Sequence, residues 1–143
     1  MLTALTALTT CSGCAAARWY LDRSSRREAE LFGGHVRLRA LRNEGAAFGL
    51  PIPREILPLA SAAALGAVWA GRDRLGPIGA GLVLGGGLSN LRERLRRGAV
   101  YDYIQFPKAP GPLRRYVFDL ADLAILAGGA LCARKGAKPR QAS

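Results

Sequence analysis

The sequence predicts an all-α membrane protein with four transmembrane helices and a small extramembrane loop that contains β-structure. Three observations support this fold class. Apolar residues, half of the 143, concentrate in four blocks, and most of the arginines lie between the blocks. The blocks are rich in glycine and alanine, and such small residues let helix backbones approach closely in lipid. Between the first two blocks, a stretch alternates apolar and basic residues, as half-buried strands do.

The four apolar blocks give the expected helix bounds within a single domain, residues 1–143. A spanning helix needs roughly 20 apolar residues, and the blocks predict helices over about 2–21, 54–70, 75–92 and 114–133. No basic n-region precedes the first block, so we interpret it as a retained helix and not as a secretory signal. A soluble helical bundle is the alternative, but the connections lack the polar and apolar faces of soluble surface helices.

The connections between the helices carry their own signals. The first connection, over about 22–53, is expected to be a strand-containing loop on the membrane surface. In its stretch HVRLRAL, residues 35–41, apolar and basic residues alternate with a period of two. After the third helix, Gly98 breaks the helical pattern, and residues 100–106 form an extended aromatic run. Aromatic side chains of this kind suit a membrane–water boundary. A basic tail, residues 134–143, follows the fourth helix.

The remaining motifs predict no metal site and no disulfide. Cys11 and Cys14 form a CxxC, but no thioredoxin-like βαβ pattern surrounds them. His35 has no ligand partner nearby, and the glycine-rich run of the third block lacks the lysine and hydroxyl residue of a phosphate-binding loop. The net charge of +11 leaves a basic soluble nucleic-acid binder as the weakest alternative, and we expect no nucleic-acid partner.

The fourth block, YVFDLADLAILAGGALCA, is almost wholly apolar but carries Asp119 and Asp122. Carboxylates at membrane depth are costly and are therefore functional candidates. Three positions apart on a helix, the two would share a face, and Asp102 lies near the same boundary, because only a short loop separates it from the fourth helix. Carboxylates brought together in a poorly solvated place tend to share one proton, as in aspartic proteases. The residues are equally compatible with ion pairing to nearby arginines: Arg94, Arg114 or Arg115.

Four motifs in order along the chain carry a family resemblance. Asp22 followed by Arg26 is similar to an Asp-x-x-x-Lys stretch, and NEGAAFGL, residues 43–50, fits Asn-x-Gly-x-Ala-Phe. GGGLSNLRERLRRGAVYDYI, residues 85–104, fits a longer pattern with Asn-x-x-Asp-Arg and Val-x-Asp-Phe-Ile, and FDLADLAI, residues 118–125, fits Phe-Asn-x-Ala-Asp-x-x-Ile. On these motifs the chain resembles signal peptidase II, the lipoprotein signal peptidase family of four-helix intramembrane aspartic proteases.

The resemblance implies that Asp102 and Asp122 form the catalytic pair. It also implies a set of supporting residues around the pair: Asn43, Gly45, Phe48, Asn90, Glu93, Arg94 and Asp119. The implied reaction removes signal peptides from diacylglyceryl-modified prolipoproteins by cleavage before the lipidated cysteine, with no metal or cofactor. The expected partners are this substrate and membrane lipids. The expected state is a monomer that crosses the cell inner (plasma) membrane several times.

Two acidic positions depart from the family pattern, and Tyr103 in place of phenylalanine is a milder change. Glu93 stands where the family has aspartate before the arginine, and Asp119 stands where it has asparagine. Asp119 adds a third carboxylate, which should raise the apparent pKa of the group unless an arginine compensates. Two alternatives therefore stay open: a non-catalytic membrane protein of the same fold that binds lipidated peptides, and a small carboxylate-lined carrier. The arginines of the loops also favour the membrane orientation opposite to the one that the family implies.

Overall fold

The computed structural model describes residues 1–24, 28–46 and 49–137. In these ranges four α-helices and four β-strands follow one another in the order α1 (Leu2–Arg23), β1 (Glu28–Leu31), β2 (Val36–Asn43), α2 (Leu57–Leu75), α3 (Pro77–Arg97), β3 (Val100–Gln105), β4 (Val117–Phe118) and α4 (Leu120–Gly136). The predicted combination of four helices with a small β-containing part is confirmed. No helix in these ranges contains an 18-residue stretch that is apolar enough to qualify as a membrane span.

Prolines and glycines set the helix boundaries. The helix predicted from residue 54 begins at Leu57, because the Pro53 carbonyl first accepts hydrogen bonds from the N–H groups of Ile56 and Leu57 in a turn. Gly76, with φ of 95°, separates α2 from α3, and such a backbone angle suits glycine. The third helix, predicted over about 75–92, continues beyond residue 92 until Gly98 in the left-handed conformation ends it at Arg97.

The fourth helix was expected to begin near residue 114, and this expectation was wrong. A short 3₁₀ turn over Gly111–Arg115 and strand β4 occupy the segment, and α4 begins only at Leu120. The apolar residues before Asp119 are therefore not helical, because they pair with β3 in the register Ile104 to Phe118. The two aspartates consequently do not lie on one face of a helix, since Asp119 precedes the first helical residue.

The strands form one antiparallel sheet with the order β1-β2-β3-β4. The predicted strand over HVRLRAL is present as β2, but the sheet also draws β3 and β4 from the second long connection. A register shift between Leu38 and Leu41 bends the β2–β3 pair, and beyond it Leu41 lies opposite Asp102 and Asn43 opposite Val100. The sheet therefore places the end of β2 beside Asp102 and leads β4 directly into Asp119.

Helix α3 lies at the centre of the bundle and packs against the three other helices. Its glycine-rich stretch permits very close approach on two sides. A Cβ atom at Gly85 would lie 2.6 Å from the backbone oxygen of Ala7 in α1, and one at Gly86 would lie 2.5 Å from that of Ala121 in α4. The small residues thus bring α1 and α4 against α3 one turn before Asn90, which is itself buried.

Candidate active site

Three carboxylates meet where the sheet joins the helices. Asp102 lies in β3, Asp119 directly precedes α4, and Asp122 lies in the first turn of α4. Each offers an oxygen atom, and these three oxygens lie within 4.8 Å of one another. The structure therefore brings Asp102 and Asp122, the pair that the family resemblance implies, into one cluster with the third carboxylate.

Asp119 and Asp122 are joined through the backbone at the start of α4. The Asp122 N–H donates to Asp119 Oδ1 at 2.7 Å, and the Asp119 N–H donates to Asp122 Oδ2 at 3.2 Å. This reciprocal arrangement is a capping box, which satisfies two N–H groups that the helix itself leaves without partners. It also sets both carboxylates at the N-terminal end of α4.

Two asparagines among the implied supporting residues each hold one carboxylate of the pair. Asn43, at the end of β2, donates through Nδ2 to Asp102 Oδ2 at 3.0 Å. Asn90, on α3, donates through Nδ2 to Asp122 Oδ1 at 3.1 Å. Because the two donors come from different elements, the orientations of the two carboxylates are fixed independently.

The segment after β2 is tied to the same site. Gly45 donates its N–H to Asn43 Oδ1 at 3.0 Å, and its carbonyl accepts from Arg94 Nη2, also at 3.0 Å. Arg94 therefore orients the loop and, through Gly45, the amide of Asn43. Phe48, another implied supporting residue, lies outside the described residues, as does Arg26 of the first motif.

The arginine that pairs with Asp119 is not one of the three expected from the sequence. Among the described residues, Arg94, Arg114 and Arg115 form no ion pair with Asp119 or Asp122. Instead, Arg18 on α1 approaches Asp119 Oδ2 through Nη2 at 3.9 Å and Glu93 Oε1 through Nε at 3.0 Å. The available sequence signal was its position as a lone charge near the end of the first apolar block.

Burial perturbs the titration of the cluster. Asp102 is 3% exposed and Asp119 is 4% exposed. Loss of solvation raises the pKa of Asp102 to about 6, against a lowering effect of the Asn43 hydrogen bond and a further rise caused by the Asp122 charge. Burial, followed by the charge of Asp122, also raises the pKa of Asp119. Neighbouring carboxylates in this setting retain a proton at a pH where isolated aspartates would have lost it.

Two cavities reach the cluster from different sides. Asp102 and Asp122 line a groove of about 640 Å³, while Asp119 lines a second cavity of about 300 Å³ together with Arg18. The groove is walled largely by apolar side chains from the loop before α2 and from three helices: Leu50, Ile52, Leu57, Leu65, Val83, Ile125 and Leu126. Only two of the three carboxylates therefore face the larger, apolar space.

A metal ion is not needed to explain the arrangement. The three carboxylate oxygens are close enough to share a cation, but each already has a partner that holds it: Asn43 for Asp102, Asn90 for Asp122 and Arg18 for Asp119. The expectation of a metal-free site stays a prediction, and a chelator experiment given in the Discussion tests it.

The fold is shared with known proteins. Two solved structures with this fold are described as a bacterial membrane enzyme determined by the in meso method, one at 1.9 Å and one at 2.3 Å resolution. The first has a TM-score of 0.80 at 18% identity and covers 95% of this chain and 92% of that one. The second has a TM-score of 0.79 at 16% identity, with coverage of 99% and 93%. The chain thus has the fold of a bacterial membrane enzyme.

The family follows from sequence comparison. A model of the family described as "Signal peptidase (SPase) II" matches residues 12–135. The lipoprotein signal peptidase of Syntrophomonas wolfei is 38% identical over 119 residues, which cover 78% of this chain and 73% of the relative. The chain therefore belongs to the signal peptidase II family, and the prediction made from its motifs is confirmed.

Other relatives cover less of their own length. The lipoprotein signal peptidase of Streptomyces coelicolor is 40% identical over 113 residues, covering 71% of this chain and 52% of the relative. That of Nitrobacter hamburgensis is 45% identical over 73 residues, covering 48% of this chain and 44% of the relative. The chain spans about half the length of these two curated relatives.

Proposed function

We propose that the protein is an intramembrane aspartic endopeptidase that removes signal peptides from diacylglyceryl-modified prolipoproteins by cleaving before the lipidated cysteine. One observation carries the proposal. Asp102 and Asp122 line the same groove, and each is held by its own amide donor, Asn43 or Asn90. The curated relatives that the chain matches are named lipoprotein signal peptidases, which supports this choice of substrate.

We assign the two aspartates different roles from their surroundings. Burial raises the pKa of Asp102, so we propose that Asp102 holds the shared proton and acts as the acid. Asp122 accepts hydrogen bonds from Asn90 and from the Asp119 N–H at the helix start, and we propose that it is the base.

The reaction then balances with water as the only co-substrate. The Asp122 carboxylate takes a proton from water, whose oxygen attacks the carbonyl carbon of the peptide bond, while Asp102 gives its proton to the carbonyl oxygen. The resulting tetrahedral diol collapses when the nitrogen accepts a proton from Asp122 and the C–N bond breaks. A diol proton returns to Asp102, so the pair ends with one proton, as it began.

The groove and the helix exteriors suit a lipidated substrate in a bilayer. The walls of the groove are apolar, as expected for contact with a signal helix and acyl chains. Large apolar side chains such as Leu5, Leu8 and Leu59 are exposed on the outer faces of α1 and α2, and such surfaces fit contact with lipid. We accordingly propose a multi-pass monomer of the cell inner membrane, with membrane lipids as its surroundings.

The test is a gel-shift cleavage assay in detergent micelles on a diacylglyceryl-modified prolipoprotein. Wild type should cut, and Asp102→Asn and Asp122→Asn should each lose activity by at least roughly 10²–10⁴-fold, the contribution of a general acid or base. Asp73→Asn is the matched control, because Asp73 is an exposed aspartate near the end of α2. It should cut like wild type.

A folded wild-type protein that binds the lipidated substrate without cutting it would refute the proposal. That outcome would favour the non-catalytic relative, for which the engagement of both departing residues, Glu93 and Asp119, by Arg18 is the supporting observation. Cutting that survives both Asp102→Asn and Asp122→Asn would place the chemistry elsewhere.

A further inference from the structure

Arg18 contacts both chain segments that carry the proposed catalytic pair. It lies on α1, its side chain is only 15% exposed, and it faces the cavity on the side of Asp119. We call the residues that it joins there the rear cluster: Arg18, Glu93, Tyr101, Tyr103 and Asp119. No residue of this cluster lines the groove that holds Asp102 and Asp122.

The first set of contacts fixes β3. Arg18 Nη2 donates a hydrogen bond to the backbone carbonyl of Tyr101, the residue before Asp102. The guanidinium carbon also lies 5.7 Å from the ring centre of Tyr101 and 5.1 Å from that of Tyr103, which flank Asp102 on either side. These cation–π contacts are of the kind that Arg makes readily because its guanidinium is planar.

The second set of contacts fixes the start of α4. Arg18 Nη2 pairs with Asp119 Oδ2, while Asp119 Oδ1 accepts the N–H of Asp122. The Tyr103 hydroxyl, under the same guanidinium, accepts the N–H of Leu120. Arg18 therefore reaches Asp122 through a single intervening residue, and Glu93 balances the remaining charge of the guanidinium from α3.

We propose that Arg18 is a positioning residue for the proposed reaction: it holds β3 and the start of α4 at the separation that lets Asp102 and Asp122 act as a pair, and it neutralises the third carboxylate, Asp119. The inference rests on the proposed function. A neutral side chain at position 18 would leave Asp119 without a cation within 4.0 Å among the described residues, and an uncompensated like charge beside the pair disfavours its ionised form.

The experiment is a double-mutant cycle measured by the cleavage assay. Arg18→Met should lower kcat by about 10²-fold, the effect of a small misplacement of reacting groups, with little change in KM, because Arg18 lies outside the groove. Arg18→Lys should restore part of kcat, because lysine keeps the charge but not the planar fork. Arg23→Met is the matched control: Arg23 is an exposed arginine on the same helix that stacks on Trp19.

The second background is Asp119→Asn, which keeps a capping side chain but removes its charge. There Arg18→Met should cost several-fold less in kcat than in the wild-type background, because the carboxylate that needs a counter-charge is gone. An equal loss in both backgrounds, a loss seen only in KM, or wild-type kcat in Arg18→Met would overturn the proposal.

Thermal unfolding of wild type, Arg18→Met, Asp119→Asn and the double variant separates the proposed role of Arg18 from the proposed function. If wild type itself does not cut, the proposed function fails, and the melting temperatures still decide whether Arg18 holds Asp119. A smaller change in melting temperature on Arg18→Met in the Asp119→Asn background than in wild type supports that contact. Equal changes in the two backgrounds contradict it.

Discussion

Replacement of Asp102 by asparagine should make the protein more stable at neutral pH, although it removes a proposed catalytic group. The side chain is 3% exposed, and its pKa is raised from 3.8 to about 6, chiefly by burial and also by the neighbouring Asp122 charge. Asparagine has nearly the same shape and carries no charge. Its carboxamide oxygen can still accept the hydrogen bond from Asn43 Nδ2.

The magnitude follows from the displacement of the pKa. Each pKa unit corresponds to about 1.4 kcal/mol, so a rise from 3.8 to about 6 means that the ionised carboxylate destabilises the folded state by about 3 kcal/mol above pH 6. Asp102 lines the groove, so solvent screens part of this penalty, and about 3 kcal/mol is its upper bound. For a chain of 143 residues, about 3 kcal/mol corresponds to a rise in melting temperature of roughly 6–12 °C.

The effect should have a defined pH window. Since the folded pKa of Asp102 lies above its ordinary value, the folded state binds the proton more tightly, and the stability that the proton contributes is lost as pH rises from about 4 to about 6. Wild type should therefore lose stability across this window relative to Asp102→Asn. The two proteins should have similar stability below the window and a constant difference above it.

The assay is thermal unfolding of both proteins in the same detergent at several pH values from 3.5 to 8, with purity and oligomeric state matched. Asp73→Asn, an exposed replacement on α2, is the control and should follow wild type throughout. A melting temperature of Asp102→Asn that is equal to or below that of wild type at pH 7.5 would refute the reasoning, because the buried carboxylate would then cost the folded state nothing.

The remaining predictions concern the cluster and the helix packing. Asp119→Asn should move the alkaline limb of the pH–rate profile to lower pH, because removal of a negative charge lets the proposed catalytic pair lose its proton more easily. Arg18→Met removes a positive charge and should move the same limb to higher pH. In Gly86→Ala the new Cβ would lie 2.5 Å from the Ala121 carbonyl oxygen, so the free energy of unfolding should fall by about 1–3 kcal/mol in a thermal unfolding experiment. Gly13→Ala is the control and should be neutral or stabilising, because no atom lies within 4 Å of the added Cβ. Cleavage should persist unchanged after treatment with excess EDTA and gel filtration, and a loss restored by a divalent cation would contradict the metal-free mechanism.

The helices were predictable because their signals are local. Apolar blocks, the glycine at position 98 and the alternation in HVRLRAL each act within a few residues, and the structure contains the corresponding helices, helix end and strand. The start of α4 was missed although its capping pattern was visible, because the apolar residues before Asp119 were interpreted as more helix. Their pairing with β3 is a tertiary interaction, which overrides local preference.

In the candidate site, too, the residues within local motifs were predictable, and the one that depends on a tertiary contact was not. Asp102 and Asp122 could be named because their motifs match a family pattern, and Asn43 and Asn90 came with those motifs. Arg18 could not be named as a partner of Asp119, because the contact joins residues from opposite ends of the chain and exists only once α1 packs against α3. The close packing of glycines that brings these helices together leaves no mark on the sequence near Arg18 itself.

The capping box has a consequence for how variants of this site should be interpreted. The oxygens of Asp119 and Asp122 cap the fourth helix as well as taking part in the charge cluster, so folding and the proposed chemistry use the same side chains. Alanine at position 122 would remove a proposed base and also the side-chain acceptor of the Asp119 N–H, and an inactive protein would not reveal which loss mattered. Asparagine separates the two, because its side-chain oxygen can still accept the backbone hydrogen bond while its charge is gone. A replacement that keeps both hydrogen bonds of the capping box must therefore carry a side-chain oxygen acceptor at each of these two positions, whatever reaction the site performs.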